Sequence, residues 1–216
     1  RVSGRFGVAL VITGPGLTNI LTPMAQARAD SVPMLVISGV NRRETLGKGL
    51  GHLHELPDQL ALSAALGPAF HLDAPVSLPG MLAQVEQALT TGRGQPVHLQ
   101  IPLDLMDAPA PEITHRTESI KSAPELFEKA NDLLAAAESP LILAGGGCRR
   151  SPAALQALAE RLGAPVILTT NARGLMHGHP LTIAASPSLE PLRALIRSAD
   201  QLLVLGSELG PTDCDM

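Results

Sequence analysis

Tryptophan and tyrosine are absent from the 216-residue sequence, and phenylalanine occurs three times. The interior must therefore be built from Leu, Val, Ile and Ala, and no aromatic platform is available on which nucleic-acid bases could stack. An excess of positive charge is also missing. The 16 Lys and Arg are outnumbered by 20 Asp and Glu, and the net charge of −4 gives no field to draw in nucleic acid or an anionic membrane surface. The two cysteines, Cys148 and Cys214, are far apart and share no metal-ligand spacing. They read as reduced thiols of a cytoplasmic protein rather than a disulfide framework. No apolar run is long enough to cross a bilayer, and no signal-peptide pattern is present.

Several catalytic signatures are missing as well. "GPGLTN" (14–19) lacks the Lys-Ser or Lys-Thr of a phosphate-binding P-loop, and Asn19 stands where a dinucleotide fingerprint would have its third glycine. No G-x-S-x-G nucleophile elbow occurs. His52, His54, Glu55 and Asp58 crowd one stretch, but their spacing is not H-E-x-x-H and no helix is expected to hold them on one face, so no metal site is assigned. A histidine that gives or takes a proton beside a bound reactant is the more plausible task for that stretch.

What is present is a strand–helix grammar stated twice. "VALVIT" (8–13), "PMLVIS" (33–38) and "PVHLQI" (96–101) are short apolar runs that read as buried strands, and 17–31 and 75–92 have helical composition. Between them lies "GVNRRETLGKGLGHLHELPDQ" (39–59), glycine-rich, polar and without a clean period, a length of loop that is usually functional or mobile. Later, "PLILAG" (140–145), "APVILTT" (164–170) and "QLLVLG" (201–206) read as strands, with helices over 151–163 and around 189–197. Ser151, Pro152 and Gly163 have the types wanted at the N-cap, first turn and C-terminal end of a helix. The expectation is an α/β protein of two parallel-sheet units. Their division is 1–104, a proline-containing linker over 105–121, and 122–216, where Ser122 and Glu125 have the form of a capping box.

The order of these stretches carries a further signal. "GVALVITGPGLTN", "ARADSVPMLVISG", "HELPDQ" and "GQPVHLQIPLD", followed by "PLILAGGG", "LAERLGAPVILTTNARG" and "LLVLGSELG", resemble the thiamine-diphosphate-dependent enzymes of the acetolactate synthase and 2-oxo acid decarboxylase type. The resemblance implies a partial pyrimidine-binding domain followed by a partial Rossmann-like central domain. The activating glutamate and the Gly-Asp-Gly magnesium motif of the family have no counterpart here, so a fragment of a longer enzyme is expected, inactive by itself. By resemblance, Gly14, Pro15, Gly16 and Asn19 lie near the cofactor, and His54 falls on the second position of the decarboxylases' His-His pair, with Leu53 at the first. Gly145, Gly146, Gly147, Thr170 and Asn171 are where several relatives hold FAD or ADP. The resemblance also implies thiamine diphosphate with magnesium, a 2-oxo acid substrate and a homodimer or homotetramer. A thiamine-dependent acyl-CoA lyase, and a non-catalytic nucleotide-binding module, are the alternatives.

Overall fold

In the computed structural model the described residues are 3–113 and 124–210. The chain divides into two compact units, Arg1–Ile120 and Lys121–Met216. In the first, β1 (Gly7–Val11), α1 (Pro15–Ala29), β2 (Met34–Val40), α2 (Gln59–Ala64), β3 (Ala69–His71), α3 (Leu78–Thr90) and β4 (Pro96–Pro102) follow one another. In the second, α4 (Pro124–Ala135), β5 (Pro140–Ala144), α5 (Pro152–Leu162), β6 (Val166–Leu168), β7 (Thr182–Ile183), α6 (Glu190–Ser198) and β8 (Gln201–Leu205) do so. Every strand pair is parallel, in the orders β1-β2-β4-β3 and β7-β6-β5-β8. The chain is thus α/β with two parallel sheets.

Parallel sheets are covered on both faces, so their central strands are continuous apolar runs. In the second unit Ile142, Ala144, Val166 and Leu168 face Leu155 and Ala159 of α5. The alternate residues Leu141, Leu143 and Ile167 face Leu192 and Ile196 of α6. In the first unit Leu35, Val97 and Leu99 meet Val85 and Leu89 of α3, while Val36 meets Leu17 and Met24 of α1.

The six expected strands are found, each shifted or trimmed by a few residues. Two short ones, β3 and β7, carry too little sequence to announce themselves. Helix α1 begins two residues earlier than its composition indicates, because Pro15 takes the first helical position and only loses an N–H that no carbonyl needed. Pro23 lies in the interior of this helix. The 39–59 stretch is not all loop: β2 runs on to Val40, a 3-10 turn covers Arg43–Thr45, and Gln59 opens α2. Ser151 does precede α5, but its side chain makes no capping bond. The 3-10 turn Gly146–Arg150 runs straight into the helix, so the Ser151 N–H donates back to Cys148 and its carbonyl accepts from Leu155. The side chains of the expected capping box at Ser122 and Glu125, residues 114–121 of the expected linker, and Cys214 lie outside the described residues. At the start of that linker Leu105 is buried, and a local turn bonds the Ala108 N–H to the Leu105 carbonyl.

The glycines at the ends of β5 and β8 differ from the one that ends α5. Gly163 caps α5 at φ 60° in open space. Gly206, also at φ 60°, lies against the backbone of Gly147 and Cys148, and a Cβ there would overlap both. Gly206→Ala is expected to destabilise the second unit by roughly 2–5 kcal/mol, from left-handed strain plus overpacking. Gly163→Ala should cost about 1–2 kcal/mol, the strain alone. Urea unfolding of the two variants separates the two costs; equal losses would mean that Gly206 is not a close-packing position.

Candidate functional site

Ligands of open α/β sheets gather beyond the carboxyl ends of the strands. In the first unit a cleft of about 480 Å³ lies there, past β1 and β2. Its walls are mainly apolar, with Val11, Ile12, Leu53, Leu103 and Met106, and its polar groups include Thr13, Asn41, Arg42, His52 and His54.

His54 is held in an unusual way. Its backbone has φ 60°, a left-handed conformation that a residue with a side chain adopts only under constraint. Against it lies Gly14, also at φ 60°, whose missing side chain leaves room for the His54 carbonyl and Cβ. Any Cβ at Gly14 would overlap that carbonyl. Gly16 is tight for a different reason: a Cβ there would come within 2.7 Å of Ile12 Cγ2. The Gly-Pro-Gly turn thus works by close approach. Its Gly14 N–H is already donated to the side chain of Gln59 (3.2 Å). Gly14 backs His54, Pro15 starts α1, and Asn19 lies on the exposed side of α1; none of these three, nor Gly16, is part of the cleft lining. Thr13 and His54 are. The Nδ1 of His54 is buried and, among the described residues, has no hydrogen-bond partner.

The acidic residues of the same loop are engaged with its backbone. Glu55 accepts from the N–H groups of Leu50 (3.3 Å) and His52 (3.0 Å), and these bonds hold its carboxyl below the usual range. Asp58 caps α2 by accepting from the Ala61 N–H (2.9 Å). Among the described residues no group of three or more His, Cys, Asp or Glu is placed to hold a metal ion.

Sequence reasoning passed over the residues that tie this region together. Gln59 is 3% exposed. Its Oε1 accepts from the Thr13 hydroxyl (2.9 Å) and the Gly14 N–H (3.2 Å), and its Nε2 donates to Ser38 Oγ (3.1 Å) and the Gly39 carbonyl (2.8 Å). Ser38 in turn meets His98 Nε2 (2.8 Å), and Ser63 meets His98 Nδ1 (2.6 Å). A signal was available: His98 and Gln100 alternate with Val97 and Leu99 on a central strand, and polar groups in such a place must find partners.

In the second unit the turns after β5, β6 and β8 come together. Gly146 faces Asn171, where a Cβ would lie 3.0 Å from the Asn171 Cβ, and Gly147 packs on Gly206. Thr170 and Asn171 form a 3-10 turn after β6. The turns after β5 and β8 are bonded to each other: the Gly145 N–H donates to the Leu205 carbonyl (2.7 Å), the Gly147 N–H to Gly206 (3.0 Å), and the Cys148 N–H back to Gly145 (3.1 Å). Those three donors face protein.

Comparison with known proteins places this architecture. Residues 1–62 match the model described as "Thiamine pyrophosphate enzyme, N-terminal TPP binding domain", and residues 127–214 match "Thiamine pyrophosphate enzyme, central domain". The chain belongs to the thiamine pyrophosphate enzymes. It is 42% identical to the "Probable 2-ketoarginine decarboxylase AruI" of Pseudomonas aeruginosa, over 99% of this chain and 39% of that protein. It is 33% identical to an acetolactate synthase large subunit of Corynebacterium glutamicum, over 96% of this chain and 35% of that protein. With the acetolactate synthase isozyme 1 large subunit of Escherichia coli the identity is 27%, over 96% and 38%. The chain therefore spans about two fifths of the length of the curated relatives it matches. Within this family residues 1–62 of the first unit match the N-terminal domain model, and the cleft and His54 loop found there are the features on which a function can be built.

His98 makes this thiamine pyrophosphate enzyme domain sensitive to acid. The ring is fully buried, and burial pushes its pKa down from 6.5 to about 4. Between those values the unfolded chain binds the proton and the folded one does not, so stability is complete above pH 6.5 and falls as the pH drops towards 4. The loss at pH 4 should be on the order of 3 kcal/mol. Urea unfolding of the first unit between pH 7 and pH 4.5 measures it. A His98→Leu variant should lose the slope across this window, and an unchanged slope would show that other groups produce it.

Proposed function

We propose that the chain is part of a thiamine-diphosphate- and magnesium-dependent enzyme that decarboxylates or carboligates 2-oxo acids. The single observation that carries the reading is the 42% identity to a probable 2-ketoarginine decarboxylase over almost the whole chain. The acetolactate synthase relatives extend the same reading to carboligation.

The residues of the cleft fit such a cofactor. Val11, Ile12, Leu103 and Met106 supply flat apolar walls for a heterocycle, and the unpartnered, buried Nδ1 of His54 is a polar atom awaiting a group from outside the chain. When bound, thiamine diphosphate supplies a carbon nucleophile and an electron sink for cleavage next to the ketone. This chain's residues orient and shield. Gly14 admits the left-handed backbone of His54 and so sets where the ring sits. Ile12, Leu103 and Met106 are exposed in the cleft and offer apolar surface that a bound heterocycle would cover. His54 holds or moves a proton at Nδ1. Gly14, Pro15 and Gly16 serve by shaping the wall behind that ring, with Asn19 one turn further along α1. In the second unit Thr170 and Asn171, with the Gly145–Gly147 turn, are the place for FAD or ADP if the complete enzyme carries one. A homodimer or homotetramer working in the cytoplasm completes the reading.

The test is made on the full-length protein that carries this chain, supplied with thiamine diphosphate, magnesium and a panel that includes 2-ketoarginine and pyruvate. Cofactor-dependent release of carbon dioxide from at least one 2-oxo acid is expected; its absence across the panel overturns the reading. His54→Ala should lower kcat by ~10²–10⁴-fold, the usual worth of a positioned proton-transfer group, while the cofactor's affinity is largely kept. An unchanged kcat would remove His54 from the reaction.

A further inference from the structure

Four buried side chains of the first unit form one chain of hydrogen bonds, and its direction can be deduced from its ends. The Gly14 N–H can only donate and the Gly39 carbonyl can only accept, so Gln59 must point Oε1 at the first and Nε2 at the second. Ser38 Oγ therefore receives a proton from Gln59 Nε2 (3.1 Å) and gives its own to His98 Nε2 (2.8 Å). Nε2 is then an acceptor, so the neutral ring carries its hydrogen on Nδ1 and donates it to Ser63 Oγ (2.6 Å). The Ser63 hydroxyl ends the chain on the Leu60 carbonyl (2.9 Å), inside the first turns of α2. Every hydrogen in the series has an acceptor. With the hydrogen on Nε2 instead, the Ser38 hydroxyl proton would have no acceptor among the described residues.

Water cannot repair a break. Gln59 is 3% exposed, Ser38 is 1%, and Ser63 and His98 are 0%. A buried network of this kind is firm when complete and costly when one member is lost. One end of it is the Gly14 turn, which packs directly on the backbone of His54. The other is the start of α2, four residues beyond Glu55 and five beyond His54. The network thus grips the His54 loop on both sides.

We propose that His98 is a positioning residue: through Ser38 it braces the Gln59 amide, through Ser63 it is tied to the backbone of α2, and through Gln59 it steadies the Gly14 turn against which His54 is set. What that turn serves rests on the function proposed above; the hydrogen-bond direction does not.

Two measurements on the 216-residue chain test it without cofactor or turnover. The first is nitrogen-15 spectroscopy of the histidine rings near neutral pH. His98 should show a protonated Nδ1 and a bare Nε2, and the opposite tautomer overturns the proposal whatever any variant does. The second is amide hydrogen exchange in His98→Leu, which fills the same space without polar atoms. The Gly14 N–H should exchange roughly tenfold faster, the scale of one weakened buried hydrogen bond, while strand N–H groups such as that of Leu99 stay slow. If His98 only fills space, Gly14 will keep its protection in the folded variant, and the proposal fails. Should His98→Leu not fold, Ser63→Ala probes the same chain from its far end, with the same expectation and the same overturning result at Gly14. Because neither readout uses a 2-oxo acid, failure here leaves the proposed reaction untouched, and failure of the reaction leaves these results standing.

Discussion

The amide of Gln59 has two unlike ends, and the first unit uses both. Its oxygen takes the hydroxyl of Thr13 and the N–H of Gly14 at the end of β1, and its nitrogen reaches the hydroxyl of Ser38 and the carbonyl of Gly39 on β2. The carboxyl ends of two neighbouring parallel strands are thereby joined to each other and to the amino end of α2, which Gln59 opens. Burial makes the arrangement obligatory, because an unpartnered polar group at this depth costs more than the hydrogen bond itself contributes. The Gly14 turn so held is the one on which the left-handed His54 is seated, beside the cleft.

Glycine serves close approach in both units, with opposite results. Gly14 withdraws a side chain so that another segment, the His54 loop, can come in from the side, and a cleft of about 480 Å³ remains next to the contact. Gly145, Gly147 and Gly206 withdraw theirs so that two turns can bond to each other across the point where the strand order reverses. A glycine-rich turn after a strand is commonly associated with phosphate binding, because its N–H groups face outward. Here those of Gly145, Gly147 and Cys148 face inward. Under the proposed function thiamine diphosphate would carry the electron sink, and a shaped wall with one proton-transfer group is what this chain would supply.

Much of the fold could be read from the residues. The run "PLILA" is apolar on both faces, the mark of a central parallel strand, and its alternate residues do pack on α5 and α6; "QLLVL" has the same pattern, although β8 is at the end of the described strand order. Less of the site could be. His54 stood out by its company in a polar loop, but its left-handed backbone, its unpartnered Nδ1 and its seat on Gly14 depend on a contact across forty residues of sequence. Glu55 and Asp58 looked equally chemical and turned out to be bound to their own loop, since a short-range N–H is the nearest partner a carboxylate can find.

By itself the sequence determined the class of the molecule: hydrophobic runs at strand length, separated by helical segments and bounded by Gly and Pro, specify two parallel α/β units, because local periodicity and burial act residue by residue. The order of its motifs likewise pointed to thiamine-dependent enzymes. Tertiary structure alone decided which polar residues would meet. Thr13, Ser38, Gln59, Ser63 and His98 are spread over four segments, only Gln59 and Ser63 sharing one, a turn apart on α2, and each is unremarkable where it stands. Only the sheet order β1-β2-β4 and the docking of α2 bring them within hydrogen-bond reach. Partners of that kind are fixed by the three-dimensional path of the chain, and a one-dimensional pattern carries no record of it.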